Sequence, residues 1–172
     1  MKILYPDLLV DSLLDIPLAA LREKQIEAFI FDLDNTVTEW NSYVLRDEVA
    51  RWFEMIRSQG FKACILSNNG EERVIKVARR LDIPYVHRAQ KPRRSGFEKA
   101  LSLMEVSASQ TAVVGDQIFT DIWGGNRAGL YTILVQPLAW REFMGTKISR
   151  GAEYFVLRKI KRSFAHKANG VL

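Results

Sequence analysis

The sequence predicts an α/β protein with a doubly wound parallel sheet in a three-layer arrangement of helix, sheet and helix. Short apolar runs alternate along the chain with longer stretches in which apolar residues recur at helical spacing. The runs are apolar at nearly every position, so both faces of each strand are expected to be buried. This is typical of a parallel sheet with helices on both sides, here with about five strands.

The five predicted strands are the apolar runs at residues 28–31, 63–66, 85–86, 111–114 and 131–135. Three amphipathic stripes between them predict helices, because their apolar residues fall on one helical face. The stripes are Val49, Trp52, Phe53 and Ile56; Val74, Val77, Ala78 and Leu81; and Phe97, Ala100, Leu101 and Met104. Gly60 ends the first helix, and Gly129 closes a fourth helix-like segment.

Both ends of the chain are predicted to be helical and to flank a core at about residues 28–135. Residues 6–25 are rich in leucine. The segment after Lys147 has the pattern of a basic amphipathic helix, with Phe155, Val156 and Ile160 on one side. With 172 residues in all, we expect a single domain spanning residues 1–172.

Composition excludes several classes of protein. Hydrophobic residues make up 48% and charged residues 26% of the chain, the balance of a globular protein rather than a disordered one. Cys64 is the only cysteine, so an internal disulfide framework is excluded. The N-terminus lacks a signal-peptide core, and the longest uncharged stretch, residues 128–140, is too short to span a bilayer. We therefore expect a cytoplasmic protein without a transmembrane segment.

The net charge of +5 is unevenly distributed. Residues 1–40 carry 3 basic and 8 acidic side chains, whereas residues 141–172 carry 8 basic and 2 acidic ones. A basic C-terminal segment can indicate an anionic partner such as a membrane surface, RNA or a phosphorylated substrate, or it can be a solvated helix face. Both interpretations remain open, and of these partners nucleic acid is the one we do not favour.

Polar residues directly follow the apolar runs. In open α/β sheets, ligands bind at the carboxyl ends of the strands, so these residues are the candidates for a site. In chain order they are Asp32, Asp34, Ser67, Asn68, Lys91, Asp116 and Asp121. Carboxylates gathered in one cleft repel each other, and a hard cation such as Mg²⁺ relieves that repulsion. An aspartate beside the cation can attack phosphorus, and a second can exchange protons with the leaving group and water. Lysine and serine can neutralise the transferring phosphoryl group.

These segments resemble the four motifs of the haloacid dehalogenase (HAD) superfamily, in order and each at a strand end. They read Asp-Leu-Asp-Asn-Thr at 32–36, Ser67, Lys91, and Gly-Asp-Gln-Ile-Phe-Thr-Asp at 115–121. The resemblance implies a phosphatase with Asp32 as nucleophile and Asp34 as general acid/base. It also implies Mg²⁺ held by Asp32, the Asp34 carbonyl and Asp116, with Asp121 in the surrounding shell or bound through water. Ser67, Asn68 and Lys91 would bind the phosphoryl group.

Simpler explanations exist for some of these residues. Asp34-Asn35 is a common turn pair, and residues 67–69 could cap the following helix. Lys91 lies among other cations, so the one that meets phosphate is left open: Lys91, Arg88, Arg93 or Arg94. Trp40 could line the substrate entrance or close a hydrophobic cluster.

The motif spacing indicates a site with no cap domain. Asp32 and Ser67 are 67 − 32 = 35 positions apart, and Ser67 and Lys91 are 91 − 67 = 24 apart. Each interval is filled by the predicted loop, helix and strand. The open site favours a large phosphorylated substrate, and it also suits a small one if a homo-oligomer supplies cover.

The lead-in from Tyr5-Pro6 and the sequences at 32–36 and 115–121 resemble the subclass IIIA, YqeG-type branch of the superfamily. That branch is similar to phosphatidylglycerophosphate phosphatases, which implies a lipid headgroup substrate and a peripheral position on an anionic membrane. The alternatives are a phosphatase acting on a soluble or macromolecular phosphate, and a non-catalytic RNA- or ribosome-binding module that uses the basic tail. The intact set of Asp32, Asp34, Lys91 and Asp116 argues for catalysis.

Overall fold

A computed structural model of the chain describes residues 2–138, 156–162 and 164. Six parallel strands form one sheet in the order β1-β6-β5-β2-β3-β4. The strands are β1 (Leu8–Val10), β2 (Ala28–Phe31), β3 (Lys62–Leu66), β4 (Tyr85–Val86), β5 (Thr111–Gly115) and β6 (Tyr131–Val135). The helices are α1 (Leu18–Glu23), α2 (Asp47–Ser58), α3 (Glu71–Leu81), α4 (Arg94–Met104) and α5 (Trp123–Ala128). The predicted α/β class with a parallel sheet is confirmed.

The two faces of the sheet bury different side chains because successive residues of a strand point in opposite directions. On β2, Phe29 and Phe31 join the cluster formed with α2 and α3, whereas Ala28 and Ile30 join the cluster formed with α4. All four residues are fully buried. The three layers of the fold therefore follow from the continuously apolar runs.

The N-terminal flank differs from the prediction of a helical segment. Residues 8–10 form a sixth strand, β1, which pairs in parallel with β6 so that Leu8 lies opposite Ile133. Asp7 extends this pairing, since its backbone N–H donates to the carbonyl of Thr132 at 2.9 Å. The helical parts of the flank are short: 3₁₀ turns at Lys2–Leu4 and Leu13–Asp15, and α1. The prediction of about five strands is thus one short.

The C-terminal prediction is only partly covered by the described residues. Residues 156–162 are helical, and Ile160 is fully buried in a cluster with Ile118, Ile122 and Leu134. Phe155 and the segment from Lys147 to it lie outside the described residues. That residues 1–172 form one domain stays a prediction. Within the part of the chain that is described, no helix has the length and apolar character needed to cross a bilayer.

Gly125 allows α5 to pack closely on the sheet. A Cβ at this position would overlap Cγ1 of Val113 and lie 2.9 Å from Cγ2 of Thr132. Because both neighbours are buried β-branched residues on β5 and β6, they have little freedom to move.

We therefore expect Gly125→Ala to lower the free energy of unfolding by about 1–3 kcal/mol, measured by urea denaturation. The matched control is Gly70→Ala, since a Cβ added at Gly70 has no atom within 4 Å. Equal stabilities for the two variants would contradict close packing at Gly125.

Candidate active site

The central strands bring the predicted site residues to one edge of the sheet. Asp32 follows β2, Ser67 follows β3 and Asp116 follows β5, and these three strands are neighbours in the order β5-β2-β3. Lys91 reaches the same edge from the loop after β4. All four side chains are buried. The intervals between the motifs contain only the loop at 32–46 with α2 and β3, and then α3 and β4, so neither carries an inserted domain.

Lys91 is the buried cation at the centre of the site. Its Nζ donates to Oδ1 of Asp32 at 2.5 Å and to Oδ1 of Asp121 at 2.6 Å. Burial alone would lower the pKa of Lys91, but the charges of Asp121 and Asp32 outweigh it and raise the pKa overall. Lys91 therefore keeps its positive charge. The neighbouring cations Arg88, Arg93 and Arg94 are exposed.

Three carboxylates, those of Asp32, Asp116 and Asp121, each offer an oxygen within 4.8 Å of the others. Both oxygens of Asp116 and Oδ2 of Asp32 are buried and have no hydrogen-bond partner. Asp121 differs, because Lys91 bonds its Oδ1 and the backbone N–H of Gln117 donates to its Oδ2 at 3.2 Å. Carboxylate oxygens of this kind are the hard ligands that a divalent cation prefers, and those without a partner belong to Asp32 and Asp116.

Burial perturbs these acids strongly. It raises the pKa of Asp32 from 3.8 to about 7; Lys91 opposes the rise, and Asp121 adds to it. Burial, and then the charges of Asp32 and Asp121, raise the pKa of Asp116 well above its ordinary value. A bound divalent cation would favour the charged forms of both residues.

The metal-free protein is therefore expected to lose stability as the pH rises from about 4 to about 7. The folded state retains protons on Asp32 and Asp116 that the unfolded chain releases near pH 3.8, so raising the pH favours unfolding. Excess Mg²⁺ should reverse this trend because it binds the deprotonated carboxylates. Thermal unfolding in EDTA or MgCl₂ across this range provides the measurement.

Asp116→Asn is the control for this experiment, and we expect it to show a weaker pH dependence and a smaller response to Mg²⁺. A wild-type midpoint in EDTA that rises across the range would contradict the prediction.

The Asp34 side chain contacts different residues from those that the Asp32 side chain contacts. Its Oδ1 accepts from the backbone N–H of Asn41 at 2.9 Å and from the Arg73 guanidinium, and its Oδ2 accepts from Nδ2 of Asn69. Arg73 Nε also donates to the carbonyl of Ser42 at 3.3 Å. Arg73 and Asn69 thus hold the Asp34 carboxylate and the following loop together.

Sequence analysis missed Arg73 and Asn69 as partners of Asp34. Arg73 lies in the first turn of α3, where an arginine usually indicates a solvated helix surface. The available signal was that Arg73 follows Ser67 by only six residues, in a helix that starts at the acidic edge of the sheet.

Ser67 and Asn68 organise the turn after β3. Ser67 Oγ accepts from the backbone N–H of Asn69 at 3.2 Å, and α3 begins at Glu71 without a side-chain cap. Asn68 Oδ1 accepts from the backbone N–H of Lys91 at 2.7 Å, and its Nδ2 donates to the Lys91 carbonyl at 3.3 Å. Asn68 therefore fixes the backbone that carries the lysine.

Gly115 explains how Asp121 reaches the site. A Cβ at Gly115 would overlap the Asp121 side chain, so the glycine leaves space for that carboxylate. Asp121 belongs to a π-helical turn at Ile118–Ile122, a feature that often occurs at functional sites. The glycine of the Gly-Asp-x-x-x-x-Asp motif thus leaves room for the carboxylate of its last aspartate, which the π-helical turn carries back to the end of β5.

The fold and this edge of buried carboxylates around a lysine define the class of protein. The family model for haloacid dehalogenase-like hydrolases matches residues 39–129, and the chain belongs to this family, as the sequence motifs predicted. It is 37% identical over 161 residues to "Probable phosphatase YqeG" of Bacillus subtilis (strain 168), an alignment that covers 94% of each chain. The protein is accordingly a phosphatase of the HAD superfamily.

Two further comparisons are more distant. The Arabidopsis thaliana protein "Phosphatidylglycerophosphate phosphatase 1, chloroplastic/mitochondrial" is 26% identical over 171 residues, covering 94% of this chain but 46% of that protein. The cobalt-bound deoxy-D-mannose-octulosonate 8-phosphate phosphatase of Haemophilus influenzae matches the fold with a TM-score of 0.53 at 16% identity. This match covers 65% of the present chain and 69% of the other.

Proposed function

We propose that this phosphatase is Mg²⁺-dependent, acts through an aspartyl-phosphate on Asp32, and dephosphorylates phosphatidylglycerophosphate. The observation that carries the reaction type is the buried Asp32 carboxylate, bonded through one oxygen to Lys91 and unpartnered at the other. An oxygen held in this way is oriented for attack and shielded from bulk water.

The proposed roles are those that the four sequence motifs imply for these positions. Asp32 attacks phosphorus, so that its carboxylate forms a P–O bond while the ester P–O bond breaks. Asp34 gives its proton to the leaving alkoxide, later takes one from the attacking water, and inorganic phosphate leaves as the bond to Asp32 breaks. Lys91 and Ser67 bind the phosphoryl oxygens.

The proposed metal ligands are Asp32, the Asp34 backbone carbonyl and Asp116, with Asp121 supporting the site through Lys91 and the Gln117 N–H. The unpartnered oxygens of Asp32 and Asp116 fit a hard cation. When bound, Mg²⁺ neutralises charge on the phosphoryl oxygens and on the two carboxylates.

The substrate proposal draws on the similarity to the Arabidopsis phosphatidylglycerophosphate phosphatase and on the absence of an inserted domain within residues 32–91. A site without a cap accepts a phosphate that projects from a larger assembly, such as a lipid headgroup in a bilayer. In this proposal the protein works from the cytoplasm as a peripheral membrane enzyme, and the exposed Arg158, Lys161 and Arg162 of the C-terminal helix face anionic lipid.

The test compares phosphate release from phosphatidylglycerophosphate in detergent micelles with release from a panel of soluble phosphomonoesters. We expect Mg²⁺-dependent release that is fastest from the lipid and suppressed by EDTA. Turnover of soluble esters with none of the lipid would overturn the substrate. Equal release in EDTA and in Mg²⁺ would overturn the metal requirement.

A further inference from the structure

The loop directly after the first motif carries an unusual concentration of exposed apolar side chains. Among the described residues, five large hydrophobic side chains are exposed: Ile3, Trp40, Tyr43, Val44 and Leu103. Three of these five lie within residues 39–44, which we call the aromatic loop. Single exposed hydrophobic residues are ordinary, but a group of this kind beside a catalytic site indicates a contact surface.

The aromatic loop is fixed to the catalytic edge. The backbone N–H of Asn41 donates to Asp34, and the Ser42 carbonyl accepts from Arg73 Nε at 3.3 Å and from Thr38 Oγ1 at 3.1 Å. Val37 and Leu45, on either side of the loop, are buried in the core. The exposed side chains therefore belong to a loop whose backbone is held at both ends and contacts Asp34. One of them, the Tyr43 ring, has Nζ of Lys76 at 5.0 Å from its centroid.

Basic side chains lie at the same edge of the sheet. Arg88 follows β4, and its backbone N–H donates to the Asn69 carbonyl at 2.8 Å; Arg94 begins α4 just after Lys91. Both arginines are exposed, and neither forms an ion pair with any described residue. Glu39 is the one charged residue of the aromatic loop itself.

Exposed tryptophan and tyrosine at the same sheet edge as exposed arginines match the chemistry of an anionic membrane surface. Their amphipathic rings favour the interface between headgroups and acyl chains, and each basic residue near anionic lipid contributes about 1 kcal/mol. We propose that Trp40, Tyr43 and Val44 insert into an anionic lipid surface, with Arg88 and Arg94 on the headgroups, and so dock the catalytic edge on the bilayer. This inference rests on the lipid substrate proposed above.

Docking predicts that the loop controls vesicle binding. The full chain is sedimented with vesicles of phosphatidylglycerol and phosphatidylcholine, with no substrate present. We expect Trp40→Ser and Tyr43→Ser each to weaken binding about 10-fold, since each removes a large apolar side chain from the interface. Brominated lipids should quench the fluorescence of Trp40. Quenching is therefore expected in the wild type and should be lost in Trp40→Phe.

The matched control is Leu103→Ser. Leu103 is 48% exposed, as Trp40 is, but it lies near the end of α4. It lines a cavity of about 460 Å³ beside Lys62, at the start of β3 and so at the opposite edge of the sheet. We expect Leu103→Ser to bind vesicles like the wild type.

Wild-type binding by both loop variants would overturn the docking surface and would favour a protein partner or no partner for the loop. Equal weakening by Leu103→Ser would overturn it too, because binding would then not be local to the loop.

The micelle assay separates this inference from the proposed function. Hydrolysis of the lipid in micelles without loop-dependent vesicle binding overturns docking and leaves the function standing. Loop-dependent binding without any hydrolysis of the lipid supports docking and overturns the substrate.

Discussion

Asp32→Asn is expected to reduce kcat by about 10⁴-fold or more while the fold is retained. The amide has the shape of the carboxylate and can still accept from Lys91 through its oxygen, but it cannot form the proposed phosphoryl ester. The substitution also removes a buried acid whose pKa is raised to about 7, so the variant should be at least as stable as the wild type in EDTA. Phosphate release and thermal unfolding measure the two effects.

The control for this variant is Asp82→Asn, the same chemical change at an exposed residue. Asp82 pairs with Arg57 at 3.0 Å on the surface after α3, and its loss should leave kcat unchanged. Residual turnover of Asp32→Asn within about 10-fold of the wild type would contradict a nucleophilic role for Asp32.

Lys91→Met is expected to cause both loss of activity and a large loss of stability. Methionine fills a similar volume but leaves Oδ1 of Asp32 and Oδ1 of Asp121 without their shared buried cation. Removing one partner of a buried ion pair typically costs about 3–5 kcal/mol, which should appear in the free energy of unfolding. Urea denaturation in EDTA gives the measurement.

Two further variants make this result specific to the buried pair. Lys99→Met, at an exposed position on α4, should change stability little. Adding Asp121→Asn to Lys91→Met should recover part of the stability, because one uncompensated charge is removed, but it should not recover turnover. If Lys91→Met were as stable as Lys99→Met, the lysine would not be the main counter-charge of the site.

Elements whose cause is local could be predicted from the sequence. The stripe of Val49, Trp52, Phe53 and Ile56 became the buried face of α2, and the stripe at Val74 to Leu81 became that of α3. The apolar runs became β2 to β6, and each motif lies at a strand end because the sheet is parallel. The amphipathic pattern was sufficient to predict the helices. The rule that ligand sites lie at the carboxyl ends of parallel strands was sufficient to predict the positions of the motifs.

Features that depend on distant contacts could not be predicted in the same way. Leu8–Val10 is a strand because β6 lies beside it, whereas the local leucine pattern favours a helix. Arg73 meets Asp34 only after α3 has packed on the sheet. The exposure of Trp40 is likewise a tertiary property; the structure leaves it 48% exposed, so the alternative of closing a hydrophobic cluster is wrong.

The position of β1 has a consequence for synthesis of the chain on the ribosome. β1 is translated before its partner β6, which follows about 125 residues later, a delay of roughly 6–25 s at common elongation rates. Throughout this delay the leucines of β1 have no strand to pair with. The sheet is completed last at its β1–β6 edge, so a nascent chain that stalls before residue 131 presents an unpaired apolar strand to chaperones and to other nascent chains.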